Sequence, residues 1–322
     1  MMGQELLDVR GVAPPENWGV VVHQDAIDSL ADEWAGSVFG LPTFDYPGTP
    51  EFRDEAWWFD YAVLAVSVLA CLWPPEGDET WHVEHDGVWL DDAQGVFAAF
   101  TRQLRPTGLD LEWFSNLSQA QGQALFAGRG TLQLIDERTA LLKKVATTLG
   151  NRWQGSALNL VDAAGRDGVE IVRLLTETVP GFRDRPETLA GVAPFDKLSH
   201  LCAAIMAAGV GWTQAGFRGF EGFPVYPDYM LPRVFRHFGL MSYRSDIADL
   251  IDGRQHIAKD STTEHGIRWA TIFCGQRLSD ALAERDTKVS GPALDYRLWS
   301  IAVLGPQAAS FGEHHRTVTM SY

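Results

Sequence analysis

Helical spacing of apolar residues is the dominant pattern in this sequence, and it limits the folds that the chain can adopt. Ile27, Leu30, Trp34 and Val38 recur three or four residues apart, which would place them on one face of an α-helix. The segment 57–73 is apolar on all sides, as expected of a helix buried in a large core. These patterns predict a mostly helical protein.

The same periodicity predicts further helices along most of the chain. Their ranges are 131–149, 168–179, 195–208, 229–238, 246–252, 263–282 and 293–303. Gly150 follows the first of these ranges and predicts its C-terminal end, because glycine readily adopts positive φ. The sequence lacks the βαβ alternation of nucleotide-binding sheets and their glycine-rich phosphate loops, which argues against ATP and NAD chemistry.

Strand signals are confined to short segments. Alternating residues flank Asp86-Gly87, a dipeptide that favours a type I′ turn, so residues 81–90 predict a β-hairpin. Residues 316–322 also alternate and predict a short edge strand. Because there is no break in composition and no long linker, we expect residues 1–322 to form a single large helical domain with the hairpin as an accessory.

The chain is strongly acidic, with 42 Asp and Glu against 26 Lys and Arg and a formal net charge of −16. A surface this negative repels phosphate backbones and anionic lipids, so we expect no polymeric nucleic acid and no membrane as partners. A small anionic ligand is still compatible, since a few local cations act within a Debye length. Because the sequence has no signal-peptide pattern, we expect a cytoplasmic protein.

The histidines and cysteines do not form a metal-ligand pattern. Three cysteines lie far apart in sequence, which excludes a disulfide framework and any CxxC site. His82 and His85 would face opposite sides of a strand, and the adjacent His314 and His315 would point apart. With no HExxH motif, the sequence predicts neither a metal nor a redox cofactor.

The most informative stretch runs from residue 222 to residue 253. It predicts a proline-containing loop, a helix that starts at Asp228 and ends at Gly239, and a second short helix closed by Gly253. Pro232 fits this prediction, because a proline in the first turn breaks no helical hydrogen bond. Asp228 at a helix start is typical of an N-cap, and the same geometry keeps a carboxylate ionised for catalysis.

This stretch resembles the signature of the queuosine salvage proteins, which contains an aromatic residue, any residue and then Asp-Tyr-Arg-Leu-Pro. The matching order here is Tyr226-Pro227-Asp228-Tyr229-Met230-Leu231-Pro232. Other family landmarks follow in order: Trp73, Gly181-Phe182-Arg183-Asp184, Phe195 with Lys197, Ile267-Arg268, Leu294-Asp295-Tyr296-Arg297-Leu298-Trp299, and His315-Arg316 before Tyr322. The resemblance extends over nearly the whole chain, from about residue 57 onward.

The resemblance implies a queuosine 5′-monophosphate N-glycosylase that releases the base queuine for reuse in tRNA. It also implies a helical fold similar to that of DNA glycosylases, with a helix-hairpin-helix element over residues 228–253. Asp228 matches the family's catalytic aspartate, which acts as a nucleophile or as a charge stabiliser. A carboxylate suits this chemistry, because breaking an N-glycosidic bond builds positive charge on the ribose.

Six further residues match positions that the resemblance implies for substrate binding. They are Tyr226, Asp295, Tyr296, Lys197, Arg268 and Arg233. Asp295 corresponds to an aspartate that binds the base, and the two tyrosines correspond to residues lining its pocket. Lys197 is the first candidate for the 5′-phosphate, and the two arginines are further candidates. Structural explanations stand beside these roles: a helix cap for Asp295, core packing for the tyrosines and solvated surface charge for Lys197.

The sequence departs from the family pattern at the expected base pocket. The helix before Trp73 usually carries Asp-Thr-Leu-Asn-Phe, and here Val66 and Leu69 replace the aspartate and the asparagine. Ser300 and Ile205 stand where relatives often have acidic residues. Because a base edge is discriminated by paired hydrogen bonds, these changes affect selectivity more than hydrolysis.

Three hypotheses about function follow from the sequence. The first is hydrolysis of queuosine 5′-monophosphate, and the second is hydrolysis of another deazapurine or purine ribonucleotide. The third is a nucleotide-binding relative without catalysis, against which the joint retention of Asp228, Lys197 and Asp295 argues.

Overall fold

A computed structural model describes residues 8–186, 194–305 and 310–322, and within them the chain is mostly helical, as predicted. The helices are α1 (Gln24–Trp34), α2 (Glu55–Ser67), α3 (Asp92–Thr107), α4 (Leu111–Ser115), α5 (Gln119–Leu125), α6 (Ile135–Arg152), α7 (Ala157–Ala163), α8 (Gly168–Thr178), α9 (Lys197–Gly209), α10 (Met230–His237), α11 (Ser245–Asp252), α12 (Thr262–Ala283) and α13 (Gly291–Val303). The strands are β1 (Val20–Val22), β2 (Val83–His85), β3 (Val88–Leu90) and β4 (Met241–Tyr243).

The chain divides into two compact units that alternate along the sequence. The first unit comprises the described residues of Met1–Pro42, Asp184–Lys197 and Phe220–Val318. The second comprises the described residues of Thr43–Arg183, Leu198–Gly219 and Thr319–Tyr322. The single domain expected from the sequence stays a prediction.

Helix α12 is the central element of the first unit, with α1, α10 and α13 packed around it. Its N-cap is Ser261, whose side chain accepts a hydrogen bond from the amide of Glu264. Ile27, Phe235 and Ile267 are fully buried in the shared core. The short strands β1 and β4 pair antiparallel beside this core, a pairing that the sequence pattern did not predict.

The stretch that holds the signature motif forms α10, β4 and α11. Helix α10 ends at His237, and the left-handed Gly239 then turns the chain into β4. Gly253 follows α11 as its C-cap, as predicted. The helix-hairpin-helix assignment stays a prediction. The edge strand predicted over 316–322 is reduced to a single bridge between Arg316 and His256.

Helix α2 lies in the core of the second unit, and its residues from Trp58 to Ser67 are all buried. The helix ends at Ser67, six residues before the predicted end. Arg138 explains this ending, because its guanidinium donates to the carbonyls of Val68, Ala70 and Cys71. None of the helices in the described ranges is long and apolar enough to cross a membrane.

The predicted hairpin is present as β2 and β3, paired antiparallel with Val83 opposite Leu90. Asp86 and Gly87 both have positive φ, as a type I′ turn requires. The end predicted for α6 at Gly150 is wrong, since the helix continues to Arg152. Gly150 is exposed with open space beside it, so the helix tolerates it without using it as a cap.

Candidate active site

A short loop, residues 226–229, leads into α10 and carries the predicted catalytic aspartate. Oδ1 of Asp228 accepts hydrogen bonds from the amides of Met230 (2.8 Å) and Leu231 (3.0 Å). These amides belong to the first turn of the helix and have no acceptor within it. Asp228 therefore binds amides of the first turn of α10, although the N-cap position is held by Tyr229, and Asp228 is only partly buried.

Asp295 holds the other end of the same loop. It lies on α13 with 8% of its surface exposed, and its Oδ1 accepts a hydrogen bond of 2.8 Å from the amide of Tyr226. The N-cap of α13 is Ser290, so Asp295 does not cap its own helix, which was the structural explanation considered from the sequence. Asp295 thus binds the amide at the start of the loop, and Asp228 binds two amides just after its end.

Burial raises the pKa of both carboxyl groups, to different extents. For Asp228, burial is opposed by the positive charge of Lys197, by the two amides that its carboxylate accepts and by Arg268. For Asp295, burial and the negative charge of Asp228 raise the pKa well above the usual range, against one amide and Lys197. More groups therefore oppose the effect of burial at Asp228 than at Asp295.

The positive charge of Lys197 lowers the pKa of both carboxyl groups. It is the first residue of α9, and only 6% of its surface is exposed. Lysine is rarely buried unless acidic or polar groups surround it, so its position does not fit a solvated surface charge. The structure brings Lys197, Asp228 and Asp295 into electrostatic range of one another, although they are far apart in sequence.

The two tyrosines predicted at the base pocket differ in burial. Tyr226 is 4% exposed, and its hydroxyl has no hydrogen-bond partner among the described residues. Tyr296 is half-buried and follows Asp295 on α13, so their side chains leave the helix about 100° apart. Because a buried hydroxyl without a partner is costly, that of Tyr226 is a donor suited to a bound polar molecule.

The two arginines predicted as further phosphate ligands both contact protein groups. Arg268 on α12 is 1% exposed, and its Nε donates to the carbonyl of Pro227 at 3.1 Å. Arg233 on α10 donates from Nη2 to the carbonyl of Phe311 at 3.1 Å, with its guanidinium 5.7 Å from that ring's centroid. Lys197 therefore remains the first candidate for binding a phosphate.

Two adjacent histidines near the end of the chain lie beside residues of this site. The ring centroids of His314 and Tyr229 are 4.9 Å apart, and His315 is 1% exposed. Burial lowers the pKa of His314 to about 4 and that of His315 to about 3, so both rings are neutral at neutral pH. The sequence showed His315 only as a family landmark, because no local spacing links it to the loop.

One group in the described part of the chain brings three potential metal-ligand atoms within 4.8 Å of one another: Asp260, Glu264 and His265. The sequence did not predict this group, because its residues span the start of α12 and do not share one helix face. Oε2 of Glu264 lies 3.3 Å from Nε2 of His265 and accepts the amide hydrogen of Asp260. The absence of a metal, expected from the sequence, stays a prediction.

Comparison with known proteins identifies the family. A family model described as queuosine salvage protein matches residues 51–322. The chain belongs to this family. The queuosine 5′-phosphate N-glycosylase/hydrolase of Sphaerobacter thermophilus is 26% identical over 94% of this chain and 93% of its own length. The protein of the same name from Mus musculus is 23% identical over 85% of this chain and 84% of its own length.

All four departures from the pattern of the queuosine salvage family have defined positions, and one of them, Ile205, is buried on α9. Val66 is fully buried in α2, and Leu69, just beyond the end of that helix, is 4% exposed. Ser300 lies on α13, and its buried hydroxyl has no hydrogen-bond partner among the described residues. The side chains of Val66 and Leu69 cannot form hydrogen bonds. The hydroxyl of Ser300 can, and no described protein group binds it.

Proposed function

We propose that this chain hydrolyses the N-glycosidic bond of queuosine 5′-monophosphate and releases queuine. Membership of the queuosine salvage family supports this proposal, as do relatives named for this activity that align over most of their length. The single observation that carries it is the loop held at one end by Asp228 and at the other by Asp295, within range of Lys197.

Asp228 acts on the sugar in this proposal. When the C–N bond breaks, its electron pair moves to the base and positive charge develops on the ribose ring. A carboxylate fixed by two helix amides stabilises that charge without reorganising during the reaction. Both roles open to Asp228, nucleophile and charge stabiliser, require its ionised form, which Lys197 and Arg268 favour.

Asp295 acts on the base. The departing base must gain a proton, and burial together with the charge of Asp228 favours the protonated form of Asp295. In its protonated form it donates to the base as the C–N bond breaks. Water supplies the oxygen that bonds to the anomeric carbon and loses one proton, which restores Asp295, so the overall hydrolysis takes up no proton.

Lys197 binds the 5′-phosphate in this proposal. A dianionic substrate has to approach a chain of net charge −16, so a fixed cation at the site is needed to overcome the local repulsion. The same net charge disfavours tRNA as the direct substrate. We therefore propose that the reaction takes place on the free nucleotide. We also propose a cytoplasmic location, as expected from the sequence.

A second candidate substrate is another deazapurine or purine ribonucleotide. The apolar side chains of Val66 and Leu69 favour this candidate, because they lack the hydrogen-bonding groups that other family members carry at these positions. A site that no longer pairs with part of a base edge discriminates less strongly between bases.

Base release measured by chromatography tests the proposal. The protein is incubated separately with queuosine 5′-monophosphate, free queuosine and GMP. Release of queuine from the monophosphate, much faster than from free queuosine, is the expected result and also supports a phosphate contact. Preferential release from GMP favours the second candidate. Binding without release by folded protein, with folding checked by circular dichroism, overturns the proposed hydrolysis.

A further inference from the structure

The guanidinium of Arg268 is enclosed by protein groups within the first unit. Its Nη2 pairs with the carboxylate of Asp184, and its Nη1 lies 3.4 Å from Oε1 of Glu264. The ring of Phe195 covers one face, with its centroid 4.2 Å from Cζ. The remaining nitrogen, Nε, donates to the carbonyl of Pro227 at 3.1 Å.

We propose that Arg268 is a positioning residue for the reaction, which fixes the peptide that carries Asp228 and does not bind the substrate phosphate. This inference rests on the proposed function. Each of the three guanidinium nitrogens already has an acceptor in the protein. Turning toward a phosphate would remove the counterion of two buried carboxylates, and uncompensated buried charges are strongly destabilising.

The contact with Pro227 completes a set of bonds that fixes the loop. Proline has no amide hydrogen, so its carbonyl is the only backbone hydrogen-bonding group that it offers. The amide of Tyr226 is bound by Asp295 of α13, and the amide of Asp228 donates to the carbonyl of Tyr226 at 2.8 Å. Arg268 adds the connection to α12, the central helix of the unit.

The arginine is held by partners that are themselves buried. Asp184 and Glu264 are themselves buried, and Glu264 is fixed in turn by the amide of Asp260. A planar fork that already has two carboxylate partners has little rotational freedom left to lose when it binds a carbonyl. Lysine at this position would keep the charge but would lose the geometry that joins all three acceptors.

The charge of Arg268 also acts on the catalytic carboxylate. It lowers the pKa of Asp228, as Lys197 does, while the negative charge of Asp228 raises the pKa of Asp295. These are the charged groups that face Asp228 from α9, α12 and α13. Loss of Arg268 therefore affects both the position of Asp228 and its ionisation.

Kinetics of Arg268→Lys and Arg268→Gln test the inference, with Arg277→Gln as a matched control. Arg277 lies on the same helix, but its Nε donates to Gln24 and not to the loop. We expect kcat for queuosine 5′-monophosphate to fall about 100-fold in Arg268→Gln, the effect of a displacement of about 1 Å, with KM nearly unchanged. A phosphate ligand would instead raise KM, and that result, or unchanged kinetics, overturns the inference.

Hydrogen exchange of the amides of residues 226–231 gives a second measurement that does not depend on activity. We expect faster exchange of this segment in Arg268→Gln than in the wild type or in Arg277→Gln, because one of its attachments is lost. Arg268→Lys keeps a charge beside Asp184 and Glu264 and serves if the glutamine variant does not fold. If the wild type releases no base, the proposed function fails, while unchanged exchange in a folded Arg268 variant contradicts the positioning role.

Discussion

At the residue scale, one carboxylate serves both the fold and the proposed chemistry. Oδ1 of Asp228 accepts two amides at the start of α10, and such a cap contributes about 1 kcal/mol to stability. The same bonds fix the position of the group that would stabilise the sugar cation. The structural role and the proposed catalytic role therefore both require an aspartate, and one side chain can fill both.

Asp228→Asn separates these two contributions. Asparagine keeps an oxygen that accepts the amides of Met230 and Leu231, so we expect the melting temperature to change little. It carries no negative charge for the ribose cation, so we expect base release to fall by at least about 100-fold. Chromatographic rates and thermal unfolding of the same preparations measure both effects. Normal hydrolysis by the variant would show that another group stabilises the cation.

The pH dependence of kcat follows from the pair of carboxyl groups. Burial raises the pKa of Asp228, so activity should appear at higher pH than the ionisation of an exposed aspartate. Burial and Asp228 raise the pKa of Asp295 further, so activity should fall again when Asp295 loses its proton. In Asp295→Asn we expect the descending limb to disappear and the ascending limb to stay in place, since burial, the two amides, Lys197 and Arg268 set the pKa of Asp228. An unchanged profile contradicts the roles given to the pair.

For the candidate site, the sequence predicted three residues that lie together in the fold, but not the contacts among them. Asp228, Asp295 and Lys197 were predicted from the family resemblance, and the structure brings them together. The bond from Asp295 to the amide of Tyr226 was not predictable, because it joins residues 69 positions apart through the packing of α13. The enclosure of Arg268 was missed for the same reason, since its partner Asp184 is 84 positions away.

At the element scale, each predicted helix has an observed counterpart, whereas four observed helices, α3, α4, α5 and α7, were not predicted. Apolar periodicity is a local property, so it located α8, α12 and α13 to within two residues at either end. The end of α2 depends instead on Arg138, about 70 positions later in the chain, which binds the carbonyls after Ser67. The pairing of β1 with β4 also joins distant segments of three residues each, too short to give a period-two pattern.

Gly275 illustrates how close packing of elements sets the position of the loop. A Cβ added to this residue of α12 would lie 2.4 Å from Cγ2 of Val225, which immediately precedes Tyr226. We expect Gly275→Ala to displace this segment, to destabilise the protein by about 1–3 kcal/mol and to lower kcat. Denaturant unfolding and base release measure these effects.

Gly150→Ala is the matched control for this substitution. Gly150 also lies in a helix, but no atom lies within 4 Å of an added Cβ. Alanine there should stabilise the protein by about 0.5–1 kcal/mol and leave kcat unchanged. Equal stability and activity of Gly275→Ala and Gly150→Ala would show that the contact with Val225 does not constrain the loop.

At the scale of the whole molecule, the composition predicted that an anion-binding site has to overcome electrostatic repulsion. The net charge of −16 requires buried or fixed cations wherever an anion binds, and Lys197 and Arg268 are both buried in the first unit. The composition does not show which acidic groups are buried, and burial changes their pKa values. Burial raises the pKa of two further aspartates, Asp60 and Asp196, to about 6.

Asp60 makes the stability of the second unit depend on pH in a predictable direction. It lies on α2, is 7% exposed and accepts a hydrogen bond from the amide of Ala157. Its pKa is about 6 in the folded protein, against about 4 in the unfolded chain, so between these values the folded state binds more protons. The contribution of Asp60 to the free energy of unfolding is fully present below pH about 4. It falls by about 3 kcal/mol as the pH rises through about 6.

Asp60→Asn removes this dependence while keeping an acceptor for the amide of Ala157. We expect the free energy of unfolding of the variant, relative to wild type, to rise by up to about 3 kcal/mol between pH 4 and pH 7. Asp86→Asn in the hairpin is a control of opposite sign, because hydrogen bonding to Arg105 lowers the pKa of Asp86. That variant should lose stability relative to wild type as the pH rises through the folded and unfolded pKa values of Asp86. Urea unfolding at several pH values measures both trends, and parallel curves for Asp60→Asn and wild type would show that Asp60 is not held protonated by the fold.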